Sequence, residues 1–193
     1  AASESIAPPP PPLAVTLWFA ANVSESLGRR MTDEADAVWR PAGVAFAWRR
    51  AEAGRPPGPL EVIVDDDRGA PSPQPPLGWI VFEKNAPTRL IHVSYANAMA
   101  LLADAGDVVG RVNDMPITQR ETYLGRAMGR ALAHELGHYL LASKTHTRAG
   151  LMRATFTAVD MFSPTRLRMD VEAPVRETIV AKLGSAGSRP TTP

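Results

Sequence analysis

The sequence predicts an α+β fold with α/β-like layering: a mixed sheet of about five strands, a backing helix, one long helix and a small, mainly helical C-terminal part. Three observations predict it. Short runs rich in β-branched and aromatic residues recur between Leu13 and Tyr95. A single early helical pattern interrupts them. The longest periodic segment, Thr118 to Ala142, comes only after the strands are complete.

In chain order, Ala1 to Pro12 is a polar tail ending in five consecutive prolines. Such a tract favours extended polyproline II and cannot join a core, so it reads as a spacer. Leu13 to Ala20 is the first strand. Ser26 to Gly43 has helical spacing at Leu27, Met31, Ala35 and Val38, and stops at Pro41 and Gly43. Val44 to Trp48 and Leu60 to Asp66 are further strands. Arg68 to Pro76 is a proline-rich loop. Gly78 to Glu83 and Arg89 to Tyr95 read as two strands joined by a hairpin-like turn over KNAPT. A short helix follows over ANAMALLADAG. Thr118 and Glu121, just after Pro116, form a capping-box pattern for the long helix. Beyond it, Ser163-Pro164 suits the start of a short helix through Arg168, and Pro174 to Gly184 suits a C-terminal helix. The expected division is a tail at 1–12, a main subdomain at 13–142 and a C-terminal subdomain at 143–193.

Composition narrows the function. Apolar residues make up 45% of the 193, enough for a real core. Twenty-one basic and twenty acidic residues leave a net charge of +1 with no basic block, so nothing argues for nucleic acid. No apolar run reaches the ~18 residues of a spanning helix. Absent cysteine excludes thiolate ligands, a cysteine nucleophile and disulfides together. The Ala-Ala-Ser start resembles an end left by signal-peptide cleavage, so a secreted or extracytoplasmic location is expected.

The chemistry concentrates in AHELGHYLLASKTH, Ala133 to His146, which holds three of four histidines. His134 and His138 are four apart, so on a helix both rings leave one face about a turn apart. That separation lets both reach one zinc ion at ~2.0–2.1 Å. Glu135 points about 100° round the axis, placed to act as a base rather than a ligand. Leu124, Met128, Leu132, Leu136 and Leu140 form the core stripe, and the histidines lie well round from its middle. A catalytic zinc site usually takes three protein ligands. His146 is the nearest third candidate, but eight residues of straight helix rise about 12 Å, so the chain must turn back.

These residues resemble the metzincin zinc metallopeptidases, whose signature is H-E-x-x-H-x-x-G-x-x-H followed by a methionine-bearing turn. His134, Glu135 and His138 match outright, and Gly150-Leu151-Met152 resembles the methionine turn. Two positions depart: Leu141 stands for the glycine and Lys144 for the third histidine, so His146 comes two residues late. The resemblance implies a zincin fold and a zinc-dependent metalloendopeptidase with one zinc ion on His134, His138 and His146. It implies Glu135 as general base, Met152 in the turn, and the Gly78-Trp79-Ile80-Val81 strand as the edge that pairs with an extended substrate. A peptide or protein would be the partner; the sequence does not set the oligomeric state, and a monomer is assumed. His92 and Arg153 are conceivable second electrophiles. Gluzincin- and aspzincin-type peptidases, using Glu177 or Asp160, are the alternative, as is a non-catalytic zinc-binding module.

Overall fold

A computed structural model describes residues 11–56 and 58–186. The N-terminal tail, except its last two prolines, lies outside the described residues, as do the final seven positions. One sheet of five strands runs in the order β2-β1-β3-β5-β4. Its strands are β1 (Leu13–Phe19), β2 (Phe46–Arg50), β3 (Leu60–Asp65), β4 (Gly78–Glu83) and β5 (Ala86–Ser94). β2, β1, β3 and β5 are parallel, while β4 returns antiparallel to β5 and forms an edge. Alternation sorts the side chains by face. Leu60, Val62, Val64, Ile91 and Val93 are fully buried towards the helices.

Two helices cover that face. α1 (Glu25–Trp39) starts at Ser24, whose side chain accepts the Leu27 N–H, and packs against α4 (Ile117–Leu141). Every member of the predicted α4 stripe is buried, Leu124 and Leu140 at 1% and 9% exposure and the three between them at 0%. Trp39, also fully buried, donates its indole N–H to the Ala133 carbonyl at 3.0 Å, tying α1 to the turn of α4 that carries His134. α2 (Tyr95–Asp104) and the one-turn α3 (Gly106–Val109) lead from β5 to α4, and α5 (Ala158–Phe162) and α6 (Ala173–Ala186) complete the chain. Among the described residues no helix is long and apolar enough to cross a membrane.

Four expectations need correction. β2 begins at Phe46 rather than Val44, because Val44 is buried in the core and its N–H closes the turn onto Trp39 O. β5 begins at Ala86 rather than Arg89. Lys84 and Asn85 both take positive φ, 49° and 66°, forming a two-residue hairpin turn, so Ala86 and Pro87 already face Glu83 and Phe82. The Thr118–Glu121 capping box does not form. α4 starts at Ile117 without a side-chain cap, and Glu121 accepts hydrogen bonds from Ser24 and Ser26, each at 2.5 Å, fastening α4 to the start of α1. Ser163-Pro164 does not open a helix. The helix lies earlier, at α5, where Thr157 and Asp160 form a true capping box.

Candidate metal centre and cleft

His134 and His138 leave α4 on one side, and the chain turns back to add His146. The helix ends as Ala142 adopts a left-handed conformation, φ 51° and ψ 43°, with its N–H on the His138 and Tyr139 carbonyls. A left-handed alanine carries roughly 1 kcal/mol of strain that glycine avoids. Ala142→Gly should therefore raise unfolding stability by up to about 1 kcal/mol in urea titration, less the added entropy of the unfolded glycine.

The turn brings the three imidazoles together, with ring centroids 4.6, 5.3 and 4.9 Å apart. One ligating atom from each lies within 4.8 Å of the others. His134 Nδ1 sits 2.8 Å from the Leu151 carbonyl and His138 Nδ1 2.7 Å from the Ser143 carbonyl. A carbonyl only accepts, so both Nδ1 atoms carry the proton. Burial pushes both rings below the usual histidine range, His134 down to about 4, so both are neutral at pH 7. Their Nε2 atoms are thus bare lone pairs, facing each other at 3.0 Å. Two acceptors at that distance repel unless a cation lies between them, and tetrahedral zinc sets its nitrogens about 3.3 Å apart. This donor set fits zinc.

Among the described residues no carboxylate joins this cluster. Glu177 is exposed on α6. Asp160 is occupied elsewhere, capping α5 through Thr157 and pairing with Arg153 at 2.7 Å. The rival ligands therefore do not reach the site.

Glu135 is 8% exposed beside the cluster, with the Ile80 N–H of β4 directed at its carboxylate. Gly78 permits that approach: a Cβ there would stand 3.2 Å from Glu135 Cγ and 3.1 Å from the His92 carbonyl. Burial, partly opposed by the Ile80 N–H, pushes the Glu135 carboxyl from 4.5 up to about 7. The folded state therefore binds the proton more tightly than the unfolded state, and the associated stability is lost as pH rises from 4.5 through 7. Glu135→Gln should stabilise the chelator-treated protein by about 3 kcal/mol more at pH 8 than at pH 4, read by urea unfolding.

Met152 is buried at 2% exposure in the turn after His146, and its sulfur packs where a Cβ on Gly137 would fall. Gly137 carries only a weak mark in the sequence. Its signal was a glycine inside a helical pattern, which costs about 1 kcal/mol and hints at a close approach. The preceding residue, Leu151, supplies the carbonyl that orients His134. Phe156 stands edge-on to His134, its ring centroid 5.6 Å away.

A cleft of about 1000 Å³ passes the three histidines and Glu135. Gly78, Trp79 and Ile80 border it, while Val81 does not. The Trp79 side chain belongs to the far face of the sheet, stacked on its cross-strand partner His92 at 4.9 Å and 3°. Arg153 is held behind Phe156 by Asp160, its guanidinium 4.4 Å from that ring. Neither His92 nor Arg153 borders the cleft as a second electrophile.

A mixed sheet, a backing helix and a long helix presenting clustered histidines define the zincin type of α+β fold. The chain is similar in structure to archaemetzincin from Methanopyrus kandleri, at a TM-score of 0.56 and 12% identity, covering 90% of this chain and 96% of that one. No family model and no curated protein matches it in sequence.

Proposed function

We propose that the chain is a zinc-dependent metalloendopeptidase of the metzincin type, with His134, His138 and His146 as ligands and Glu135 as general base. The observation that carries this reading is the pair of Nε2 atoms facing each other 3.0 Å apart, with a third imidazole and a buried carboxyl beside them. The shared fold with archaemetzincin supports it. Zinc held there would supply Lewis-acid polarisation of the scissile carbonyl and a lowered pKa for water.

The chain's own residues account for the rest. A Glu135 oxygen takes a proton from the attacking water and delivers it to the nitrogen of the leaving amine. Ile80 N–H holds that carboxylate in place. The Leu151 and Ser143 carbonyls fix both imidazole tautomers, so no ring rotation is needed before ligation. β4 is an edge strand beside the cleft, and an extended peptide can pair with its free backbone groups. Met152 fills the space under Gly137 and keeps the His146 turn against α4.

The test is metal analysis of the purified protein beside a peptide-library digest, with and without a chelator. One equivalent of zinc and chelator-sensitive internal cleavage are expected. A zinc-loaded protein that cleaves no peptide would overturn the assignment in favour of a zinc-binding module.

A further inference from the structure

Among the described residues four charged side chains line the cleft: Arg130, Glu135, Lys144 and Asp104. Arg130 is buried at 1% exposure and paired with Glu34, so it offers substrate no free charge. Glu135 is the proposed base. The other two are exposed and stand apart. Lys144 lies in the turn two residues before His146, and its ammonium rests 5.1 Å from the ring centre of Phe82, near the end of β4. Among the described residues no carboxylate pairs with it. Asp104 closes α2, the helix that starts where β5 and the opposite end of β4 meet: Ser94, the N-cap of α2, donates to Leu77 O. Asp104 has no cationic partner among the described residues either.

Lys144 thus marks the Phe82 end of the strand, while Asp104 closes the helix that departs from its Gly78 end. At the Phe82 end the cleft offers a cation over an aromatic ring. At the Gly78 end it passes Asn97, Ala100 and Leu101 to a carboxylate. The proline-rich loop walls that second end. Buried Asn97 clamps it, donating to the Pro76 and Arg68 carbonyls at 2.8 and 3.1 Å. Pro73, Pro75 and Pro76 have no N–H to donate, so this wall is largely apolar, with the Gln74 amide and the Asp104 carboxylate as its polar groups.

We infer that the cleft is electrically polarised and selects peptides with an acidic residue on the amino side of the cleaved bond and a basic residue on its carboxyl side. This rests on the peptidase reading above and names its substrate class. The direction follows from strand pairing. Antiparallel addition is the more stable mode, so a peptide beside β4 enters at Phe82 and leaves at Gly78. Its acidic side chain then meets Lys144. Its basic side chain lays an aliphatic stem along Leu101 and reaches Asp104 with the charged head.

Exposed ion pairs are weak, so each correct charge is worth roughly two- to five-fold in kcat/KM at low salt, and the preference shrinks as salt is added. The experiment compares matched peptides carrying Glu or Lys on each side of the scissile bond. It reads cleavage by the zinc-loaded protein and binding to its zinc-loaded Glu135→Gln variant. The expected result is a preference for acid before and base after the bond, in both readouts. Lys144→Glu should invert the first preference alone and Asp104→Lys the second alone. Cleavage indifferent to charge, or preferences unmoved by these substitutions, would overturn the inference and leave the peptidase standing. Charge-selective binding without cleavage by the parent protein would keep the polarity and remove the peptidase. Peptides that neither bind nor are cleaved would remove both.

Discussion

Glu135→Gln is expected to lower kcat on a cleaved peptide by about 10²–10⁴-fold, the usual worth of a positioned acid–base group, while zinc content stays unchanged. The separation follows from geometry. Glu135 is not among the grouped ligand atoms, and the two Nδ1–carbonyl bonds that orient the first two imidazoles do not involve it. Glutamine keeps the shape and can still meet the Ile80 N–H, but it cannot take a proton from water. KM should change little, because the carboxylate acts on water rather than on the peptide backbone. His146→Ala should have the opposite signature, losing zinc on dialysis and activity with it. Glu177→Ala should leave both intact, since Glu177 is exposed and outside the cluster. Unchanged turnover in Glu135→Gln would eliminate it as the base. Zinc retained by His146→Ala but lost by Glu177→Ala would reverse the ligand assignment.

The parts of the molecule legible in the sequence are those set by local periodicity. The α4 stripe repeats every four residues, so its core face and the side carrying His134 and His138 follow from helix geometry alone. β1, β3 and β4 coincide with their sequence patterns to within a residue, because β-branched and aromatic runs bounded by Gly, Pro and Asp carry a local signal. What was illegible depends on partners distant in sequence. Glu121 looked like a cap because Thr118 precedes it by three. Its actual hydrogen bonds come from Ser24 and Ser26, nearly a hundred residues away. Ser163-Pro164 looked like a helix start, yet the Ser163 and Thr165 carbonyls are acceptors for Arg130, which a helix would have consumed. The late third histidine is explained in part by where the left-handed residue falls. The helix runs through Leu141 and reverses at Ala142, which accounts for one of the two extra residues; the other lies in the turn between Ala142 and His146. The carbonyls that fix the imidazole tautomers have no side-chain signature at all.

Arg130→Ala is expected to cost about 3–5 kcal/mol of unfolding free energy, the range for breaking a buried ion pair from one side. Arg130 lies one turn before His134 on α4, and at 1% exposure it is a cation almost wholly removed from water. It remains charged because every face of its guanidinium is used. Nε meets Glu34 of α1 at 2.8 Å, Nη1 meets the Asp160 carbonyl at 2.5 Å, and Nη2 meets the Ser163 and Thr165 carbonyls at 2.8 and 3.2 Å. One side chain thereby joins α1, α4 and the segment after α5. Removing it leaves a buried carboxylate and three carbonyls short of donors. Arg166 alone cannot repair that, although it already grips Glu34 from the surface at 3.1 and 2.5 Å. The double variant Arg130→Met with Glu34→Leu should recover much of the loss, because the desolvated charges disappear together. Arg166, 43% exposed, can then turn to solvent. The three carbonyls stay unsatisfied in both variants, so recovery should be incomplete. Zinc affinity should hardly change in the double variant, since none of these bonds touches a ligand histidine. Its KM should rise, because Thr157, Ala158 and Met161, carried by the segment Arg130 anchors, border the cleft. A single variant as stable as the parent in urea titration would mean the network contributes no net stability. Weakened zinc binding in the double variant would mean the anchor reaches the metal centre itself.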